Sequence, residues 1–98
     1  MKFEFLKPVV IRGEEVKEIE IPLEQLRASD LDQVRDDLMN LNGGFSRQLT
    51  MEPVFDMKFC WACASRALKI PYEDLNNLPG PDAMRLFRAV STFFVLGD

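Results

Sequence analysis

Lys2-Phe3-Glu4-Phe5-Leu6-Lys7-Pro8-Val9-Val10-Ile11-Arg12-Gly13-Glu14-Glu15-Val16-Lys17-Glu18-Ile19-Glu20-Ile21 reads with a period of two. Phe3, Phe5, Val9 and Ile11 alternate with Lys2, Glu4, Pro8 and Arg12, the pattern of a half-buried strand. Beyond Gly13-Glu14-Glu15 the alternation resumes, with Ile19 and Ile21 on one side and Glu18 and Glu20 on the other. Opposed residues of an antiparallel pair share a face, so the two apolar sets must meet. Both sit at odd positions, which requires an odd-length connection; a three-residue loop, Gly13 to Glu15, satisfies it, glycine supplying the unusual backbone angle. Pro8 has no N–H to give a ladder and points to an edge or a bulge. Two strands alone are marginal in water, so the apolar face of this hairpin must rest on helices.

The rest of the chain reads as those helices. Ser29 is the expected N-cap of the first, with Asp30 and Asp32 near the positive end of its dipole. Its stripe is Leu31, Val34 and Leu38, extended by Leu41, and Asn42-Gly43-Gly44 ends it. A mobile loop is expected near 40–50. A second helix is expected to begin between Thr50 and Pro53 and to stop near Lys69, before Ile70-Pro71. Its centre, Phe59-Cys60-Trp61-Ala62-Cys63-Ala64, is apolar all round, as for a helix enclosed by neighbours. A short helical turn over 71–78 leads to Pro79-Gly80-Pro81, and a last helix follows over about 81–96. On that helix Asp82, Arg85, Arg88 and Thr92 form a polar stripe. One apolar flank carries Met84, Phe87, Ser91 and Phe94, the other Leu86, Ala89, Phe93 and Leu96. A small domain buries one such flank more easily than two, which makes Phe93-Phe94-Val95-Leu96 the expected surplus. The expected fold class is α+β: an N-terminal two-stranded antiparallel β-hairpin (1–22) packed on a small bundle of three to four α-helices (29–98), in a single domain over 1–98.

Composition limits the chemistry. Ninety-eight residues hold one modest core, and 47% hydrophobic with 29% charged residues is globular rather than disordered. A net charge of −4 argues against a nucleic-acid surface, which draws affinity from clustered cations. No apolar run approaches the about 18 residues of a bilayer span, and Met1-Lys2-Phe3-Glu4-Phe5, with a charge inside its apolar stretch, does not read as a signal peptide; a soluble, intracellular chain is expected. Without histidine, Ser-His-Asp and Cys-His nucleophiles and histidine-ligated metals are out of reach. No Gly-rich phosphate loop is present, since Gly43-Gly44 lacks a following Lys-Ser/Thr. The expectation is a non-enzymatic protein with no cofactor and no metal.

Three features remain. Cys60-Trp61-Ala62-Cys63 has Cys-x-x-Cys spacing, but it falls mid-helix, with no βαβ pattern around it. A zinc site would need four ligands, hence two chains. Core packing is the preferred reading of both thiols, and a thiol redox protein or sensor is the alternative, to be recognised by a depressed thiol pKa. The carboxylates Glu14, Glu15, Glu18, Glu20, Asp30, Asp32, Asp36 and Asp37 lack the spacing of a calcium loop and read as a solvated acidic face. The last helix divides between ordinary core and recognition surface. Its candidate partner-binding residues are Phe87, Val90, Phe93, Phe94 and Leu96, with Arg85 and Arg88 at the rim. Self-association through this helix, in a plain homo-oligomeric adapter, is a further alternative.

Leu6-Lys7-Pro8-Val9-Val10-Ile11-Arg12-Gly13-Glu14-Glu15-Val16-Lys17-Glu18-Ile19 resembles the start of phage tail assembly chaperones of the Mu-like and P2-like group: a strand ending near a Pro-Val pair, a glycine turn, then an alternating strand. Leu26-Arg27-Ala28-Ser29-Asp30-Leu31 is similar to the family's transition into its first helix. Ala67-Leu68-Lys69-Ile70-Pro71-Tyr72-Glu73-Asp74-Leu75 resembles its helix ending before a proline-started turn, and Asp82 through Phe94 its final helix. Cys60-Trp61-Ala62-Cys63 and Gly43-Gly44 are not part of that pattern. The resemblance implies a non-enzymatic factor in the cytoplasm of the infected or lysogenic bacterium, absent from the finished virion. Its partner would be the tape measure protein, kept soluble while the tail tube assembles. A longer frameshifted form is compatible with the resemblance. No catalytic residues carry over.

Overall fold

The computed structural model describes residues 1–41 and 56–97. It is an α+β fold in which strands β1 (Lys2–Ile11) and β2 (Glu14–Glu20) form an antiparallel hairpin. Three α-helices follow among the described residues: α1 (Ala28–Leu41), α2 (Met57–Leu68) and α3 (Gly80–Leu96). Short 3-10 turns at Leu23–Gln25 and Tyr72–Leu75 link them.

The hairpin turn is tighter than the expected three-residue loop. Ile11 pairs with Glu14, leaving Arg12 and Gly13 as a two-residue connection with φ of 53° and 82°. Two left-handed residues in succession make the turn whose twist matches that of its strands. The odd offset comes from elsewhere. From Phe3 to Val9 β1 advances six residues, while β2 advances three between their partners Ile19 and Val16. The three-residue excess lies in the segment that contains Pro8, where the ladder has no N–H to lose. An even turn plus an odd bulge brings Phe3 against Ile19 and Val9 against Val16. Apolar therefore meets apolar on both sides of the irregularity.

The helix ends also follow local chemistry. The Arg27 carbonyl accepts from the N–H groups of Asp30 and Leu31, and Asp30 Oδ2 accepts from the Arg27 N–H at 2.9 Å. Arg27 is therefore the capping position of α1 and Asp30 the residue that reaches back to it. Ser29, expected as the cap, lies inside the helix. Asp56 is extended, and its carboxylate accepts from the Phe59 N–H at 3.0 Å, so α2 starts at Met57 rather than between Thr50 and Pro53. At its far end Lys69 is left-handed (φ 60°); its N–H goes to the Arg66 carbonyl and that of Ile70 to Ser65. These two reversed bonds satisfy the last carbonyls before Pro71. Pro79 caps α3, Pro81 sits in its first turn, and left-handed Gly97 closes it by donating to the Phe93 carbonyl at 2.7 Å. Of the loop expected near 40–50, Asn40 and Leu41 continue α1; the remainder lies outside the described residues.

The apolar face of the hairpin covers α2 and α3. The larger cluster joins Phe3, Phe5, Val9 and Ile21 to Cys60, Ala64 and Ala67 of α2 and to Leu86 and Val90 of α3, with Leu23 and Leu75 from the 3-10 turns. A smaller one lies beneath α1: Val34 and Leu38 against Phe59 and Cys63. Trp61 ties α2 to α3 by donating its indole N–H to the Ala83 carbonyl at 3.0 Å. Among the described residues no helix is long and apolar enough to cross a membrane.

Candidate interaction surface

The residues singled out on the last helix take three different places. Val90 is wholly buried in the larger cluster and offers no surface to a partner. With Asp82 and Leu86, both also buried, it marks the line of α3 that faces inward at four-residue spacing. The inward face thus cuts across the expected stripes, taking Asp82 from the polar one, Leu86 from one apolar flank and Ser91 from the other, with Val90 from none of them. Asp82 leaves the polar stripe for this reason, and the β1 bulge explains what a carboxylate does there. Asp82 Oδ1 accepts from the Leu6 N–H at 2.9 Å, a backbone group that the irregular ladder leaves over.

Arg85 is part of the same arrangement, not of a rim. Its Nη1 donates to Asp82 Oδ1 at 3.1 Å and to the Glu4 carbonyl at 2.7 Å, and its guanidinium lies 5.2 Å from the centre of the Phe3 ring. One side chain thereby meets a buried charge, an outward backbone carbonyl of β1 and an aromatic face. It fastens α3 to the strand. Arg88 is exposed.

The apolar end of α3 remains. Phe87 is half-buried against the larger cluster. Phe93 and Phe94 are half-buried too and meet edge to face, centres 5.8 Å apart at 77°. Beyond them Leu96 is 67% and Val95 58% exposed, the final turn having outrun the body it packs on. Val95 belonged to the expected surplus but not to the contact residues; its apolar character in the terminal turn was the available signal. Other exposed apolar side chains went unanticipated: Leu6, Val10, Met57 and Met84. Leu6 and Val10 occupy polar-side positions of the alternation, and that violation of the pattern is legible in the sequence. Through its bond to Asp82, Leu6 lies beside the first turns of α3, which also carry Met84.

Burial decides the character of the thiols. Cys60 and Cys63 are both fully enclosed, one in each cluster. Desolvation, with the Asp56 carboxylate adding to it, pushes the Cys60 thiol up to about 12. Burial first and then the neighbouring Cys60 push Cys63 to about 12 as well, against a lowering contribution from Arg66. Such groups are protonated and unreactive at neutral pH, the opposite of the depressed value a redox thiol needs. Among the described residues no cluster of acidic and thiol groups could hold a metal ion.

The acidic face is partly used internally. Glu18 pairs with Lys2 at 3.2 Å, Glu20 with the Met1 ammonium at 3.0 Å, and Asp30 with Arg66 at 2.9 Å. The Arg27 N–H first, and then Arg66, hold the Asp30 carboxyl below its ordinary range. Compared with protein-family models, curated proteins and solved structures, the chain matches none.

Proposed function

We propose that this chain is a non-enzymatic phage tail assembly chaperone that binds the long, apolar, helical tape measure protein and keeps it soluble in the host cytoplasm. The observation that carries the reading is the exposed end of α3. Val95 and Leu96 stand in solvent beside the half-buried Phe93 and Phe94, an apolar spot of the kind a greasy helical client needs. The net charge of −4 supports it, because a carrier of apolar segments must itself resist association. The resemblance of the hairpin and of the helix boundaries to that chaperone group points the same way. The enclosed, protonated thiols favour this role over a redox one.

The test is co-expression with the tape measure protein, measuring that client's soluble fraction with and without the chain. Val95→Asp, Leu96→Asp is the informative variant, since both side chains are exposed and surface changes there cost the fold little. Rescue by the wild type that is lost in the double variant supports the chaperone and its site. Rescue retained in the variant keeps the function and moves the site, and absence of rescue overturns the reading. A sedimentation mass that rises with concentration, with no effect on the client, favours the homo-oligomeric adapter.

A further inference from the structure

We propose that the outer edge of β2 accepts an extended segment of a partner protein as a third strand, and that this segment alternates Lys or Arg with aliphatic residues. The surface is separate from the exposed end of α3, and the proposal does not depend on the client named for that end.

Three observations converge on it. First, the two edges of the hairpin are treated differently. On β1 the Leu6 N–H donates to Asp82 and the Glu4 carbonyl accepts from Arg85, so α3 supplies the partners that another strand would. On β2, Glu18 opposes Glu4 and Glu20 opposes Lys2. Opposed residues of an antiparallel pair either turn their N–H and C=O groups toward each other or both turn them away. The Glu4 carbonyl faces α3, so Glu18 points away from β1, and Glu20, two residues on, does the same. Among the described residues, no hydrogen bond from outside the hairpin reaches the backbone of Glu14–Glu20. Second, the inner face beside this edge is incompletely filled. Val16 and Ile19 are only half-buried, and with Leu68 and Ile70 they wall a crevice of about 180 Å³. A strand added to β2 sets the residue opposite Ile19 on that inner face, where an aliphatic side chain fits. Third, charge selects the occupant. β2 carries four glutamates and one lysine, and the Glu18 and Glu20 side chains are 53% and 68% exposed. Residues of an added strand opposite these two share their outer face, and a cation there is favourable where an anion is not. A second copy is the wrong partner by the same rule. Pairing β2 with itself about Ile19 sets Glu18 against Glu20, and pairing about Glu18 sets that residue against its own copy. Addition to a sheet edge draws affinity from main-chain bonds and specificity from alternate side chains, which gives the period-two pattern of the partner.

The probe is the fluorescein-labelled peptide Lys-Val-Lys-Val-Lys-Val-Lys, titrated against the full chain by fluorescence anisotropy and, unlabelled, by amide exchange in NMR. The expected result is saturable binding that slows exchange of the Glu18 and Glu20 amides by about tenfold or more. In the proposed pairing the lysines oppose Glu18 and Glu20 and exchange main-chain bonds with them. Methyl groups on the backbone nitrogens of the lysines should therefore abolish binding, whereas the same groups on the valines should leave it intact. Glutamate in place of lysine in the peptide should abolish binding too. Glu18→Gln, Glu20→Gln, both surface changes, should weaken it about threefold or more at an unchanged urea midpoint. Absence of binding would overturn the proposal. Equal binding of the two methylated peptides, or unchanged exchange at Glu18 and Glu20, would mean contact through side chains alone and would overturn the added strand. Equal binding of the glutamate peptide would overturn the basic partner. None of these measurements uses the tape measure protein, so failure here and failure of the chaperone reading are read separately.

Discussion

At position 82 a carboxylate with 2% exposure serves the Leu6 N–H and the Arg85 guanidinium together. Removing it leaves a backbone donor without its partner and takes from Arg85 one of its two acceptors. Asp82→Ala should therefore lower the unfolding free energy by about 1–3 kcal/mol in urea titration, most of it from the unpaired Leu6 N–H. Asp82→Asn, which keeps an acceptor for Leu6 but no charge for Arg85, should cost about half as much. Lys69 shows the opposite sign. It holds a left-handed angle that glycine adopts freely, so Lys69→Gly should stabilise the chain by about 0.5–1 kcal/mol, read as a shift in urea midpoint. The thiols give the pH dependence. Cys60 and Cys63 are raised from 9.0 to about 12 in the folded chain, so the unfolded chain loses those protons first as pH rises. Their contribution is whole below pH 9 and falls away from there toward pH 12. The urea midpoint should drop over that window, and Cys60→Ala, Cys63→Ala should flatten the drop.

Among the elements, the hairpin tests what alternation can tell. The period of two located both strands and their faces, because burial on one side leaves a mark at every second residue. It could not distribute the odd offset between turn and bulge, since either satisfies the same pairing of faces. The left-handed pair Arg12-Gly13 settles it in favour of a two-residue turn. Gly13→Ala should accordingly cost about 1 kcal/mol, measured by thermal or urea unfolding, with the strands retained. For α1, Ser29 was the better cap by residue type, but the reach-back of Asp30 to Arg27 moved the start of the helix upstream. On α3 the periodicity marked an amphipathic helix without saying which line faced inward. That line was set by a polar need, the Leu6 N–H, which depends on a strand 76 residues away in sequence. The exposed end at Val95 and Leu96 was legible because terminal turns run out of neighbours. The burial of Val90 and the tie of Arg85 to β1 were not, since both follow from how α3 lies on that strand.

The whole molecule is one large cluster with a smaller one leaning on α2. The hairpin, α2, α3 and the two 3-10 turns share eleven buried apolar residues, whereas α1 enters a group of four. Amide exchange should follow that division, α1 exchanging ahead of the buried parts of α2 and α3 under native conditions. The chain's one tryptophan stands on the other side of it. Trp61 packs with the larger cluster, and its indole is bonded to the first turn of α3 at Ala83. Its emission colour and quenching thus follow the separation of α2 from α3 and stay dark to the departure of α1. The fold carries its own spectroscopic probe: a stopped-flow fluorescence trace would time the collapse of the main body without any label, leaving the docking of α1 as a silent phase to be timed by other means.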